Sequence, residues 1–190
     1  MADSSPENKN PTLGYLTVVN DEFTGWTGGM LVLDRGGRPM EFQCTLPVRP
    51  TKAHEILFGP TLPRHLISEV IGKLLLQKCR TPLSIVCTDL EEALDVEAFT
   101  QCPVVLVSEA TEQDQPSDTS TVKSTNKIDE MEAIAFAGAT FLAAIDVAAK
   151  VESYAGRFGD LPDAVEPFER IREAIKEAHS QLARQQSGAA

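Results

Sequence analysis

The chain has 190 residues, enough for one well-buried core with a helical appendage and too few for two large domains. With 28 acidic against 17 basic residues its net charge is -11, which argues against a broad phosphate-tracking surface and leaves room only for a local basic patch. Nucleic acid is therefore a disfavoured partner. Residues 1–10 hold no apolar run, and the longest apolar stretch, Ala133 to Ala149, is interrupted by Gly138 and Asp146. Neither a leader nor a membrane span is expected, and the expected location is the cytoplasm.

In chain order, Met1 to Thr12 is polar and reads as a mobile tail. Leu13 to Asn20, rich in β-branched and aromatic residues, predicts a first strand, followed by a polar, glycine-containing connection from Asp21 to Gly29. Met30 to Leu33 and Met40 to Val48 flank an Asp-Arg-Gly-Gly-Arg-Pro turn and predict an antiparallel hairpin. In its second arm Met40, Phe42, Cys44 and Leu46 alternate with Glu41, Gln43 and Thr45. Pro47 and Pro50 stop that strand, and Thr51 is placed to cap a short helix running to Phe58.

From Pro63 to Lys78 the residues Leu66, Ile67, Val70, Ile71, Leu74 and Leu75 recur at spacings of three and four, the pattern of a helix packed on a sheet. Leu83 to Cys87 and Pro103 to Val107 read as buried strands, parallel because the helix Leu90 to Phe99 joins them. Residues 108–128 contain almost no large apolar side chain and read as a linker or long loop. Beyond it, Asp129 to Tyr154 predicts a helix with a stripe of Ile134, Gly138, Phe141, Ile145 and Ala148. Pro162 to Leu182 predicts another, its apolar face made of Val165, Phe168, Ile171 or Arg172, Ile175, Ala178 and Leu182. The expected fold class is α/β, a mixed sheet of βββαβαβ order over residues 13–107, followed by an αα-hairpin over residues 129–185 and a short tail, 186–190.

Cys44, Cys79, Cys87 and Cys102 form no C-x-x-C pair, and His54 and His65 lack the spacing of a zinc helix, so structural zinc is not expected. The cysteines read as small buried thiols. Thr24-Gly25-Trp26-Thr27-Gly28-Gly29 has neither the Lys-Ser/Thr ending of a P-loop nor a strand-to-helix context, and serves the connection between strands. Cys44 with His54 is a dyad only if the fold brings them together, and His179 falls on a charged, solvated helix face.

Three antiparallel strands leading into helix, strand, helix, strand resemble the layout of ribonuclease H-like folds over Leu13 to Val107. This resemblance implies acids from the first strand, the first long helix and the end of the fourth strand gathered around divalent cations. The candidates are Asp21, Glu69 and Asp89, with Glu55 a second helical option. Each also has a local role: Asp21 opens a turn, Asp89 stands where the next helix needs an N-cap, and Glu69 suits an exposed helix position. The leading expectation is a non-catalytic binding or adaptor protein working through protein–protein contacts, with a protein partner or self-association through the C-terminal helices. No catalytic, cofactor or metal residue goes with it. The alternative is a divalent-metal-dependent phosphodiesterase or nuclease, the one case in which a cation is expected.

Overall fold

In the computed structural model, which describes residues 11–109, 131–158, 161 and 163–187, seven strands form one mixed sheet in the order β3-β2-β1-β4-β5-β7-β6. The expected N-terminal tail as far as residue 10, the linker from residue 110 and the last three residues lie outside the described residues. Strands β1 (Leu13–Asp21), β2 (Gly25–Leu33) and β3 (Pro39–Cys44) are antiparallel neighbours, while β4 (Ile85–Thr88) and β5 (Val104–Glu109) run parallel to β1. The α/β class with a mixed sheet is therefore observed.

Strand β1 is buried on both faces because side chains alternate: Leu13 and Tyr15 enter one core, Leu16 and Val18 the other. Between β3 and β4 come α1 (Lys52–Phe58), capped by Thr51, and one continuous helical run, α2, made of Leu62–Arg64, His65–Gly72 and Lys73–Lys78. The middle eight residues of α2 are π-helical, and its Ile67, Ile71 and Leu75 cover the Leu16 face. A 3-10 helix, Glu91–Phe99, links β4 to β5. No helix among the described residues is long and apolar enough to cross a membrane.

Strand β2 begins at Gly25, so most of the expected glycine connection is strand. The reason is close approach from both sides. A Cβ on Gly28 would lie 2.1 Å from Ile71 Cγ2, and one on Gly29 would lie 2.4 Å from Ile171 Cγ2.

The second difference is larger. The helix expected over Asp129 to Tyr154 is instead a hairpin, β6 (Met131–Phe136) and β7 (Ala139–Ala144), followed by α3 (Ile145–Ala155). Ala137 (φ 47°) and Gly138 (φ 76°) take the two left-handed positions of a two-residue turn. Ala139, Phe141 and Ala143 then alternate into the core. Strand β7 pairs antiparallel with β5, so the segment extends the sheet, and no αα-hairpin forms among the described residues. The last helix, α4 (Glu166–Ser187), crosses β1 and β2 and buries Phe168, Ile171 and Ile175, with the Phe168 ring edge-on to Tyr15 at 5.1 Å.

Candidate nucleic-acid interface at the sheet edge

Parallel pairing brings the C-terminal ends of β1 and β4 to one edge, with Leu16 opposite Thr88. Asp89 is the next residue, and strand alternation turns it toward the α4 face beside Thr17. The Arg172 guanidinium of α4 spans two carboxylates there: Nη2 donates to Asp89 Oδ2 and Nη1 to Glu169 Oε1. The Asp89 side chain is only 15% exposed, and its Oδ1 is buried without a hydrogen-bond partner. Burial raises the Asp89 carboxyl above its ordinary pKa, with the Thr17 hydroxyl and Arg172 pulling the other way.

Seven residues along α4, two helical turns, His179 Nε2 lies 3.1 Å from Thr27 Oγ1. His179 also borders a groove of about 390 Å³ lined by Thr24, Leu46, Pro47, Arg49 and Leu182. Arg49 is fixed in it by donating Nε–H to the Thr24 carbonyl at 3.2 Å. At the adjoining turn Phe23 is 81% exposed, and Leu46 is 74% exposed. The groove thus combines two basic side chains with an unburied aromatic ring nearby.

The structure places the sequence candidates apart. Asp21 Oδ1 accepts from the Phe23 and Thr24 amides at 2.9 and 2.8 Å and from the Thr24 hydroxyl at 3.1 Å, so it closes the β1–β2 turn. These bonds hold its carboxyl below the ordinary range. Glu69 lies exposed on α2, which covers the opposite face of the sheet, with its Oε2 3.1 Å from His65 Nδ1. Glu55 pairs with Lys52 at 2.8 Å on α1, which buries none of its residues. Asp89 alone of the four is largely buried. Among the described residues no group of three or more His, Cys, Asp and Glu side chains is arranged to hold a metal ion. The residues at the Asp89 edge do not fit a divalent cation, because a guanidinium already bridges the two carboxylates there.

Cys44 and Cys79 are partly or fully exposed rather than core, and only Cys87 is buried. Burial pushes the Cys79 thiol up to about 11 and the Cys87 thiol further, which disfavours thiolate chemistry at both. His54 is occupied at the N-terminus of α1, its Nδ1 accepting from the Thr51 amide. Thr17 and Arg172 beside Asp89, and His179, Arg49 and Phe23 at the groove, were not among the sequence candidates. The available signal was Arg172, a charged residue at a position shared with the apolar stripe of the last helix.

No protein-family model matches the chain, and no curated protein matches it in sequence. Among solved structures it is similar to human endonuclease V, with 12% identity and a TM-score of 0.48 over 90% of this chain and 87% of that one. Two structures of Ciona intestinalis endonuclease V, each with DNA containing an inosine followed by a ribo-adenosine, match at 14% identity. Their TM-scores are 0.47 and 0.45, over 90% of this chain and 87% and 88% of theirs. The expectation of a non-catalytic adaptor working through protein–protein contacts, with nucleic acid disfavoured, is corrected by these neighbours: they are nucleases, and two hold DNA. At this identity, and with TM-scores below 0.5, no residue, substrate or reaction is carried from them to this chain.

Proposed function

We propose that this chain handles nucleic acid along the line of the phosphodiesterase alternative, with a single strand lying in the groove at the β1–β2 turn. The observation that carries the reading is the pairing of Arg49 and His179 in one groove next to the exposed Phe23. A cationic side chain meets a backbone phosphate, and an exposed ring stacks on an unpaired base, an interaction worth about 1–3 kcal/mol per base. An acidic chain confines such contacts to a small patch, which suits a strand end better than a duplex. The β3-β2-β1-β4-β5 order, antiparallel then parallel, supports the ribonuclease H-like layout to which the element order points. Arg172, on Asp89 at the edge beside Thr17, lies two helical turns along α4 from His179 in the groove.

The test combines binding and cleavage. Fluorescence anisotropy with labelled single-stranded, duplex and hybrid oligonucleotides, including one with inosine followed by ribo-adenosine, is read at several salt concentrations. Cleavage of the same strands is followed with magnesium, manganese and chelator. The expected result is single-strand binding that weakens with salt and is lost in Arg49→Ala and Phe23→Ala. Cleavage abolished in a folded Asp89→Asn variant establishes the enzyme form of the reading. Neither binding nor cleavage of any strand at low salt overturns it.

A further inference from the structure

We infer that Arg172 serves this edge as a built-in cation, taking the place between carboxylates that a divalent ion would need, so that the chain's dealings with nucleic acid draw on no ion held by Asp89. The inference rests on the reading above for its ligand and on independent geometry for its substance. One guanidinium donates to Asp89 Oδ2 through Nη2 and to Glu169 Oε1 through Nη1. The planar fork of arginine is suited to two oxygen partners at once, and its charge persists at every accessible pH. The flanking position on β1 holds Thr17, whose hydroxyl brings no negative charge, and the acid of that strand, Asp21, is spent on three bonds within its own turn.

The charges decide the outcome. Asp89 and Glu169 together carry two negative charges, and Arg172 cancels one of them at hydrogen-bond range. An incoming divalent ion meets the guanidinium's repulsion, and removing the guanidinium means breaking both of its ion pairs. What would remain is one largely buried carboxylate and one that is 68% exposed, a poor donor set for an ion that keeps octahedral oxygen coordination. The pair also ties α4 to the end of β4 across 83 residues of sequence. The guanidinium therefore does two tasks of a structural metal, neutralising buried charge and fixing distant elements.

The experiment titrates the full chain with manganese alone and counts bound ion by electron paramagnetic resonance, with no nucleic acid present, so its result is separate from whether a strand binds. Wild type is expected to bind no ion that Asp89→Asn removes. Arg172→Gln takes out the charge while keeping a polar side chain, and is expected to bind manganese about tenfold or more tightly than wild type. That gain is expected to vanish in the Asp89→Asn, Arg172→Gln double variant. One equivalent of manganese bound by wild type and lost in Asp89→Asn overturns the inference, as does a folded Arg172→Gln that binds no better than wild type. Should Arg172→Gln fail to fold, the wild-type titration decides alone. Strand binding unchanged by chelator supports the inference, and strand binding abolished by chelator and restored by manganese overturns it.

Discussion

On the α2 face of the sheet, Leu16, Val18, Met30, Ile67, Ile71 and Leu75 form a core in which Ser68 and Thr88 are tied off within a turn of chain and Ser84 Oγ accepts from the Thr12 amide. Ser68 Oγ donates to the Arg64 carbonyl, and the Leu90 amide donates to Thr88 Oγ1. On the α4 face satisfaction is incomplete. Arg172 reaches Asp89 across 83 residues and His179 reaches Thr27 across 152, while Tyr15 Oη and Asp89 Oδ1 are buried without partners. Each polar group named on the α2 face has a partner within the fold. On the α4 face two buried polar atoms are left without one, and a groove borders the same helix.

Truncating the large side chains gives the largest expected effects. Phe168→Ala removes the ring that meets Tyr15 edge-on, at a cost of about 3–5 kcal/mol, and Ile71→Ala on the other face costs about 2–5 kcal/mol. Urea denaturation reads both. The two separate in function: strand binding is expected to fall with Phe168→Ala at temperatures where the variant is folded, and to persist in folded Ile71→Ala. The reverse pattern would break the contrast between faces.

Adjacent glycines offer a finer comparison. A Cβ at Gly28 presses on Ile71 and one at Gly29 presses on Ile171 and Ile175, so each alanine variant overpacks one face by one methyl. About 1–3 kcal/mol of destabilisation is expected for each. Only Gly29→Ala is expected also to weaken strand binding, because it shifts the helix that carries Arg172 and His179. Equal losses of binding in both would show that the sheet transmits strain to the edge from either side.

The sequence made the strands visible where alternation is sharp. Met40, Phe42 and Cys44 mark β3 by their alternation, although that apolar face is the exposed one, and the unbroken runs of β4 and β5 read as buried strands. It hid β6 and β7 because alanine fits a helix as well as a strand, and because Ala137-Gly138 lacks the Asn-Gly or Asp-Gly signature of a tight turn. Of the site, Asp89 was legible from its place after a buried strand. Arg172 was not, since nothing local pairs a residue with one 83 positions away. Asp21 and Glu69 drew attention by type and place alone, and their local bonds account for them.

Tyr15 sharpens the comparison with the opposite sign. Its ring is buried and its hydroxyl has no partner, so Tyr15→Phe removes a desolvated donor and keeps the packing on Phe168. A gain of about 1 kcal/mol is expected, read as a higher denaturation midpoint. Burial pushes the phenol's pKa up, so the gain is constant below the ordinary tyrosine pKa and grows above it, where the unfolded wild type ionises and the folded one does not. A loss of stability instead would reveal a partner for that hydroxyl and make the α4 face as well satisfied as the other.

The smallest effect lies in the pH dependence of stability, where carboxylates at different places pull in opposite directions. Burial raises the folded pKa of Asp89 above its unfolded value, so between the two values the folded state binds more protons than the unfolded one. Its contribution therefore falls as pH rises through that window, which starts at the ordinary aspartate range and ends at the raised folded value. Asp21 is lowered by the Thr24 and Phe23 amides. Burial pushes Glu41 up, but the Thr81 hydroxyl and the Arg80 and Thr81 amides outweigh it and leave it lowered too. These two contribute stability that is present above their unfolded values and is lost as pH falls through their folded ones. In Asp89→Asn the falling term disappears while the rising terms remain, so the variant's stability is expected to climb more steeply than wild type's from acid toward neutral pH. Glu41→Gln is expected to flatten the climb instead. Urea midpoints across that range measure both. Parallel curves for wild type and Asp89→Asn would mean that Arg172 cancels the cost of burying this carboxylate, leaving the α4 face with no unfavourable charge to set it apart from the α2 face.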